Sequence, residues 1–299
     1  MIAAAVFATA DWWSQLFNFA DYGQLLVLLQ NSILAGALLG VVGGLVGVFV
    51  ISRDLAFAVH GISELSFAGA AAGLLFGVGV VEGSIVGSII AAAVIGALGS
   101  RARDRNSTTA VLMPFGLGLG ILCLALYPGR TSNKFGLLTG QIVAVDDPKL
   151  NSLALISLVV VVGLFIIWRP LGFASVDADV AAARGVPVRA LSLVFMLLLG
   201  LAVAVSVQVV GALLVLSVLV TPAAAALRVS SSPIVVPVLS TAFAVVSLVG
   251  GILLALGSSV PISPYVTTIS FLIYVVCRVT STRRARTARN RRRILEAAA

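Results

Sequence analysis

From Leu191 to Leu227 the chain carries no charged residue, and from Val229 to Cys277 it again carries none. A helix crossing the hydrocarbon core of a bilayer needs about 20 apolar residues. Runs this long therefore commit the chain to an integral membrane protein. Composition agrees: 60% of the 299 residues are hydrophobic and only 10% are charged, against about 25% in soluble domains. The two cysteines, Cys123 and Cys277, lie in apolar stretches with no CxxC spacing, so they read as packing residues and not as a disulfide framework or a metal knuckle.

Counting spans gives about nine. They are Gln24 to Ser52, Leu55 to Val80, Gly83 to Ser100, Ser107 to Tyr127, Leu150 to Trp168, two within Leu191 to Leu227 divided near Gln208 and Gly211, and two within Val229 to Cys277 divided at Gly257 to Pro264. The expected fold is an all-α polytopic membrane helix bundle. Basic residues favour the cytoplasmic side. With the N-terminus outside and the C-terminus cytoplasmic, all but Arg130, Lys134 and Lys149 of the 19 Lys and Arg face inward. Residues 1–23 lack a basic signal-peptide start, and Trp12, Trp13, Phe17 and Phe19 suit a short interfacial helix. Residues 24–280 form the membrane domain. Residues 281–299 form a basic cytoplasmic tail, suited to anionic lipid headgroups or to a specific partner. The net charge of +8 gathers at span ends and in that tail, a distribution that fits lipid anchoring and not nucleic acid.

Glycines crowd several spans, including Gly36, Gly40, Gly43, Gly44 and Gly47 in the first and Gly69, Gly73 and Gly77 in the second. Such rows let helices approach closely, either for plain packing or for a bundle that rocks. Outside, residues 128–149 contain a mostly apolar stretch, 135–145, that suits a re-entrant or lid segment. Inside, residues 170–187 contain Asp177 and Asp179, an alanine run, Arg184 and Gly185. An acidic start and a Gly stop spell a short helix, either a connector or a dock for a soluble partner.

His60 is the only histidine, and Glu64 follows four residues later with nothing else charged between Leu55 and Val81. Residues four apart share a helix face. Glu64 is eleven residues past Arg53, about 16 Å along a helix, near the middle of the bilayer. Ionisable groups there normally face a bundle interior or a wet path. Imidazole plus carboxylate suits zinc, manganese or ferrous iron. Two ligands make a site loose enough to pass an ion on, and a second copy of the chain would offer four. The alternative is a structural hydrogen bond with Glu64 neutral. No GxxxxGK[ST] loop, GxSxG elbow or HExxH occurs, so the chain reads as a transport protein and not an enzyme, with no permanently bound cofactor.

Several segments resemble the permease subunits of metal-ion ABC importers, the zinc/manganese/iron family. Gln30 to Gly40 with Gly43, Gly44 and the run from Gly47 to Arg53 is similar to that family's first span. Ile62 to Gly69 resembles its second-span pattern, A-L-S-H-A-A-L-P-G. Asp177 to Val188 resembles its coupling segment, Val210 to Ala226 its V-G-x-L-L-V…P-A-A-x-A block, and Pro261 to Pro264 the P-S-G-P start of its last span. The family commonly has Asp and His, four apart, where this chain has His60 and Glu64, so acid and imidazole are exchanged. It often has a basic residue where this chain has Gln208.

The resemblance implies a subunit of the bacterial cell membrane that imports a divalent metal past His60 and Glu64 by alternating access. It implies cytoplasmic ATPase subunits docked at 170–187 and shaped by Asp177, Asp179, Arg184 and Gly185. It also implies a second permease copy or paralogue, and an extracytoplasmic metal-binding protein. The rival expectation is a self-contained, proton-coupled secondary transporter with Glu64 as the proton carrier.

Overall fold

A computed structural model describes residues 29–98, 102–128, 145–256 and 261–298 together with Gly23 and Leu26; the side chains of 102–104 and 283–298 are not among the described parts. The interfacial N-terminal segment and the expected lid at 135–144 lie outside the described residues.

Eleven α-helices occur among the described residues: α1 Gln30–Ser52, α2 Ala56–Phe76, α3 Val80–Leu98, α4 Ala102–Leu126, α5 Asp147–Val176, α6 Ala178–Ala183, α7 Val188–Val210, α8 Val215–Leu219, α9 Thr221–Val229, α10 Val235–Ala255 and α11 Ile262–Ala298. Nine stretches among them are long and apolar enough to cross a membrane. The fold is all-helical, as the unbroken apolar runs require.

Boundaries differ from the sequence reading in two of three instructive places. The fifth helix does not stop at Trp168 but runs through Pro170 to Val176. Proline removes one backbone donor without forcing a stop, and membrane helices tolerate this. Only the part of 170–187 after Val176 is therefore connector. The division at Gly211 is real, since α7 ends there at a backbone φ of 82°, a region glycine enters freely. The seventh span, however, is broken: Ala212–Leu214 is a 3-10 turn, and α8 and α9 meet at Val220, just before Pro222. The basic tail continues α11 as helix to Ala298.

Packing falls into two groups. α2 lies against α3 and α4, with α7 behind α3; α1 lies against α10, which packs on α11. α7 also touches α2, α5 and α1, joining the groups. Buried Leu39, Val46, Val50, Ile62, Phe67, Phe195 and Leu199 fill the core. Phe49 of α1 sits edge-on to Trp168 of α5, with ring centroids 4.8 Å apart.

Both groups rest on glycine seams. A side chain on Gly44 would strike the backbone of Thr241, and the Gly44 carbonyl accepts a hydrogen bond from the Ser240 hydroxyl at 2.7 Å. A Cβ on Gly69 would collide with the Gly83 carbonyl and lie 2.9 Å from the Gly87 Cα. Backbone cannot yield as a side chain can. Gly69→Val should therefore cost about 2 kcal/mol or more by overpacking. It should clearly lower the thermal unfolding midpoint of the detergent-solubilised protein. Gly118→Ala, with nothing within 4 Å, should leave the midpoint in place.

Candidate metal site

α2 begins only at Ala56, because the chain reverses between the two helices. Asp54 takes φ 53°, and the Leu55 amide bonds the Val50 carbonyl at 2.8 Å. Glu64 thus lies eight residues into α2, about 12 Å from its start at 1.5 Å per residue. The turn shortens the depth counted from Arg53 but leaves the carboxylate well inside the helix.

His60 and Glu64 face the same way, as the four-residue spacing demands. Nε2 of His60 stands 3.8 Å from Oε1 of Glu64; the imidazole is 26% exposed and the carboxylate 4%. That gap is too long for a hydrogen bond. His60 Nδ1 and Glu64 Oε2 are buried without a hydrogen-bond partner. Buried polar atoms are normally paired, so the two side chains are held together but not satisfied.

An ion about 2.1 Å from each ligand atom would set them roughly 3.4 Å apart at a tetrahedral angle, within a small side-chain rotation of the observed spacing. The donors present therefore fit a transition-metal ion. Among the described residues no group of three or more His, Cys, Asp or Glu gathers, so the described residues offer two candidate donors here.

α4 comes close behind the pair. A Cβ on Gly116 would sit 3.1 Å from the Glu64 carbonyl carbon, and one on Gly61 would meet the Thr109 methyl. Two residues past Glu64, Ser66 and Ser84 share a hydrogen bond of 2.8 Å between their hydroxyls, and the Ser84 hydroxyl donates to the Ala204 carbonyl at 3.4 Å. This chain of hydroxyls ties α2, α3 and α7 just beyond Glu64. Sequence reasoning did not single it out, because serine in an apolar run has no spacing signature. Gln208, one turn past Ala204, has a buried amide nitrogen without a partner.

The other sequence-flagged residues lie on a separate element. Asp177 caps α6, its Oδ1 accepting the Asp179 and Val180 amides at 3.0 Å each. Arg184 is the C-cap and Gly185 follows at φ 85°. Asp177, Asp179, Arg184 and Gly185 are all exposed, while Ala181 is fully buried and anchors the helix. Gly185 has open space around it, so only its backbone is constrained. Gly185→Ala should cost about 1 kcal/mol of left-handed strain, read as faster hydrogen exchange at the Gly185 and Val186 amides that close the turn.

Residues 26–281 match the model of the ABC 3 transport family. The chain belongs to that family. It is 29% identical to "Manganese transport system membrane protein MntC" of Halalkalibacterium halodurans, over 75% of this chain and 77% of that one. It is 24% identical to "High-affinity zinc uptake system membrane protein ZnuB" of Haemophilus influenzae, over 83% and 96%. Among solved structures it superposes on "PsaBC from Streptococcus pneumoniae in complex with Fab" with a TM-score of 0.78, 25% identity and 87% and 95% coverage. As an ABC 3 chain with nine candidate spans among its described residues, it is a multi-pass inner-membrane permease. It is a transport component and not an enzyme, the ATPase being a separate subunit.

Proposed function

We propose that this permease imports a divalent transition-metal ion, manganese or zinc foremost, past His60 and Glu64. The observation that carries the reading is the half-satisfied imidazole–carboxylate pair, 3.8 Å apart inside α2, in a chain whose relatives bear manganese- and zinc-transport names. A permanent structural contact would close the gap to hydrogen-bonding distance. A transient site keeps its ligand atoms available. Two donors per chain hold an ion weakly enough to release it, and a second permease chain completes the coordination.

The N-terminus faces outside and the C-terminus the cytoplasm. An extracytoplasmic binding protein delivers the ion. ATPase subunits dock on exposed α6, shaped by Asp177, Asp179, Arg184 and Gly185, and their closure alternates access to the pair. Membership of an ABC family favours this energy source over a proton gradient carried by Glu64.

The test is reconstitution with the cognate ATPase and binding protein in liposomes. ATP-dependent accumulation of Mn²⁺ or Zn²⁺ is expected. Uptake of neither ion, or uptake driven by a pH gradient without ATP, would overturn the proposal.

A further inference from the structure

At the end of α1 one side chain reaches two other helices. The Arg53 guanidinium donates from Nη1 to the Ser175 hydroxyl of α5 at 3.4 Å and from Nη2 to the Ser192 hydroxyl of α7. Ser175 lies two residues before Asp177, the cap of α6, and Ser192 lies in the second turn of α7. Arg53 therefore grips both helices that flank α6.

The other side of the same turn is also held. Arg105 of α4 donates from Nη2 to the carbonyls of Arg53 and Asp54, each at 3.3 Å. Asp54 is the one non-glycine residue with positive φ among the described residues, a conformation costing about 1–2 kcal/mol. Such strain persists where the surroundings over-determine it. Two arginines thus meet at one turn, and burial together with the Arg105 charge pushes the Arg53 guanidinium below its usual range. Ala56, the first residue of α2, follows directly.

We propose that Arg53 is the positioning residue that passes movement of α6 to α2, and so to His60 and Glu64. The argument rests on the docking role given to α6 above. Movement of α6 displaces Ser175 and Ser192 together. The forked guanidinium follows both, and the stiff turn at Asp54 leaves α2 no slack. A lysine keeps the charge but has one nitrogen and no fork.

The test uses the full permease–ATPase complex in liposomes, in a chain whose native cysteines are replaced and which carries His60→Cys. Alkylation of that thiol by a water-soluble maleimide is followed with and without a trapped ATP analogue. With Arg53 present, nucleotide should change the rate by about tenfold, the upper part of the range for coupling residues. Arg53→Lys and the double variant Ser175→Ala/Ser192→Ala should each erase that change while ATP hydrolysis continues. A nucleotide response that survives in either variant overturns the inference. So does no response in the parent, or loss of the assembled complex in both variants. The readout needs no metal: a nucleotide response here, beside a complex with His60 intact that imports neither Mn²⁺ nor Zn²⁺, sinks the cargo assignment and leaves the joint standing.

Discussion

Replacing His60 and Glu64 together with alanine should abolish ATP-driven Mn²⁺ or Zn²⁺ uptake, a fall of about 100-fold or more given that even outer-shell changes cost up to that much in affinity. Assembly with the ATPase should persist. Among the described residues the polar contact of each side chain is with the other, so their removal breaks no bond between helices. Glu64→Gln sharpens the reading. Glutamine keeps the shape and the hydrogen-bonding capacity but cannot present an anion. If the carboxylate ligates metal, Glu64→Gln should fail as badly as Glu64→Ala. If Glu64 is a neutral structural partner, Glu64→Gln should transport normally, and the metal pathway must then lie elsewhere. Radioactive ion uptake into liposomes, normalised to protein, decides between them.

Scrambling residues 177–187 should remove the ATPase from the purified permease altogether, while the permease still inserts and extracts as a stable chain. The window matters. Residues 170–176 belong to α5, and Leu171 is buried in the core, so a scramble beginning at Pro170 would damage the bundle and confuse the result. From Asp177 onward the exposed residues of α6 make few demands on the core, apart from Ala181, which the scrambled version should retain. Co-purification of ATPase with the scrambled chain would show that docking occurs on another surface.

The spans were legible because bilayer thickness imposes a length and hydrocarbon forbids charge, so Arg53, Arg228 and Arg278 mark where helices stop lying in lipid. The short helix at α6 was legible from capping chemistry alone: Asp177 caps and Gly185 stops, as the residue types demand. The exit of α5 was not, because proline in water usually ends a helix while Pro170 here only interrupts one hydrogen bond. The break before Pro222 went unseen for the converse reason, since hydropathy is blind to a turn buried within an apolar run. At the site, the His60–Glu64 pairing followed from helical periodicity. The Arg53 fork and the Ser66–Ser84–Ala204 ladder did not, because partners on separate helices, 18 to 139 residues apart, leave no mark on local pattern.

The tight seam between α2 and α3 bears on how the chain is made. Of the nine candidate spans α2 has the lowest mean hydropathy, and it carries an imidazole and an acid that an isolated segment would expose to lipid during synthesis. Only Gly77, Val78 and Gly79 separate it from the more apolar α3. With glycine facing glycine, the two can close into a hairpin as soon as both have emerged from the ribosome. The least willing helix then partitions into the bilayer in the company of a stronger one, before the rest of the bundle exists.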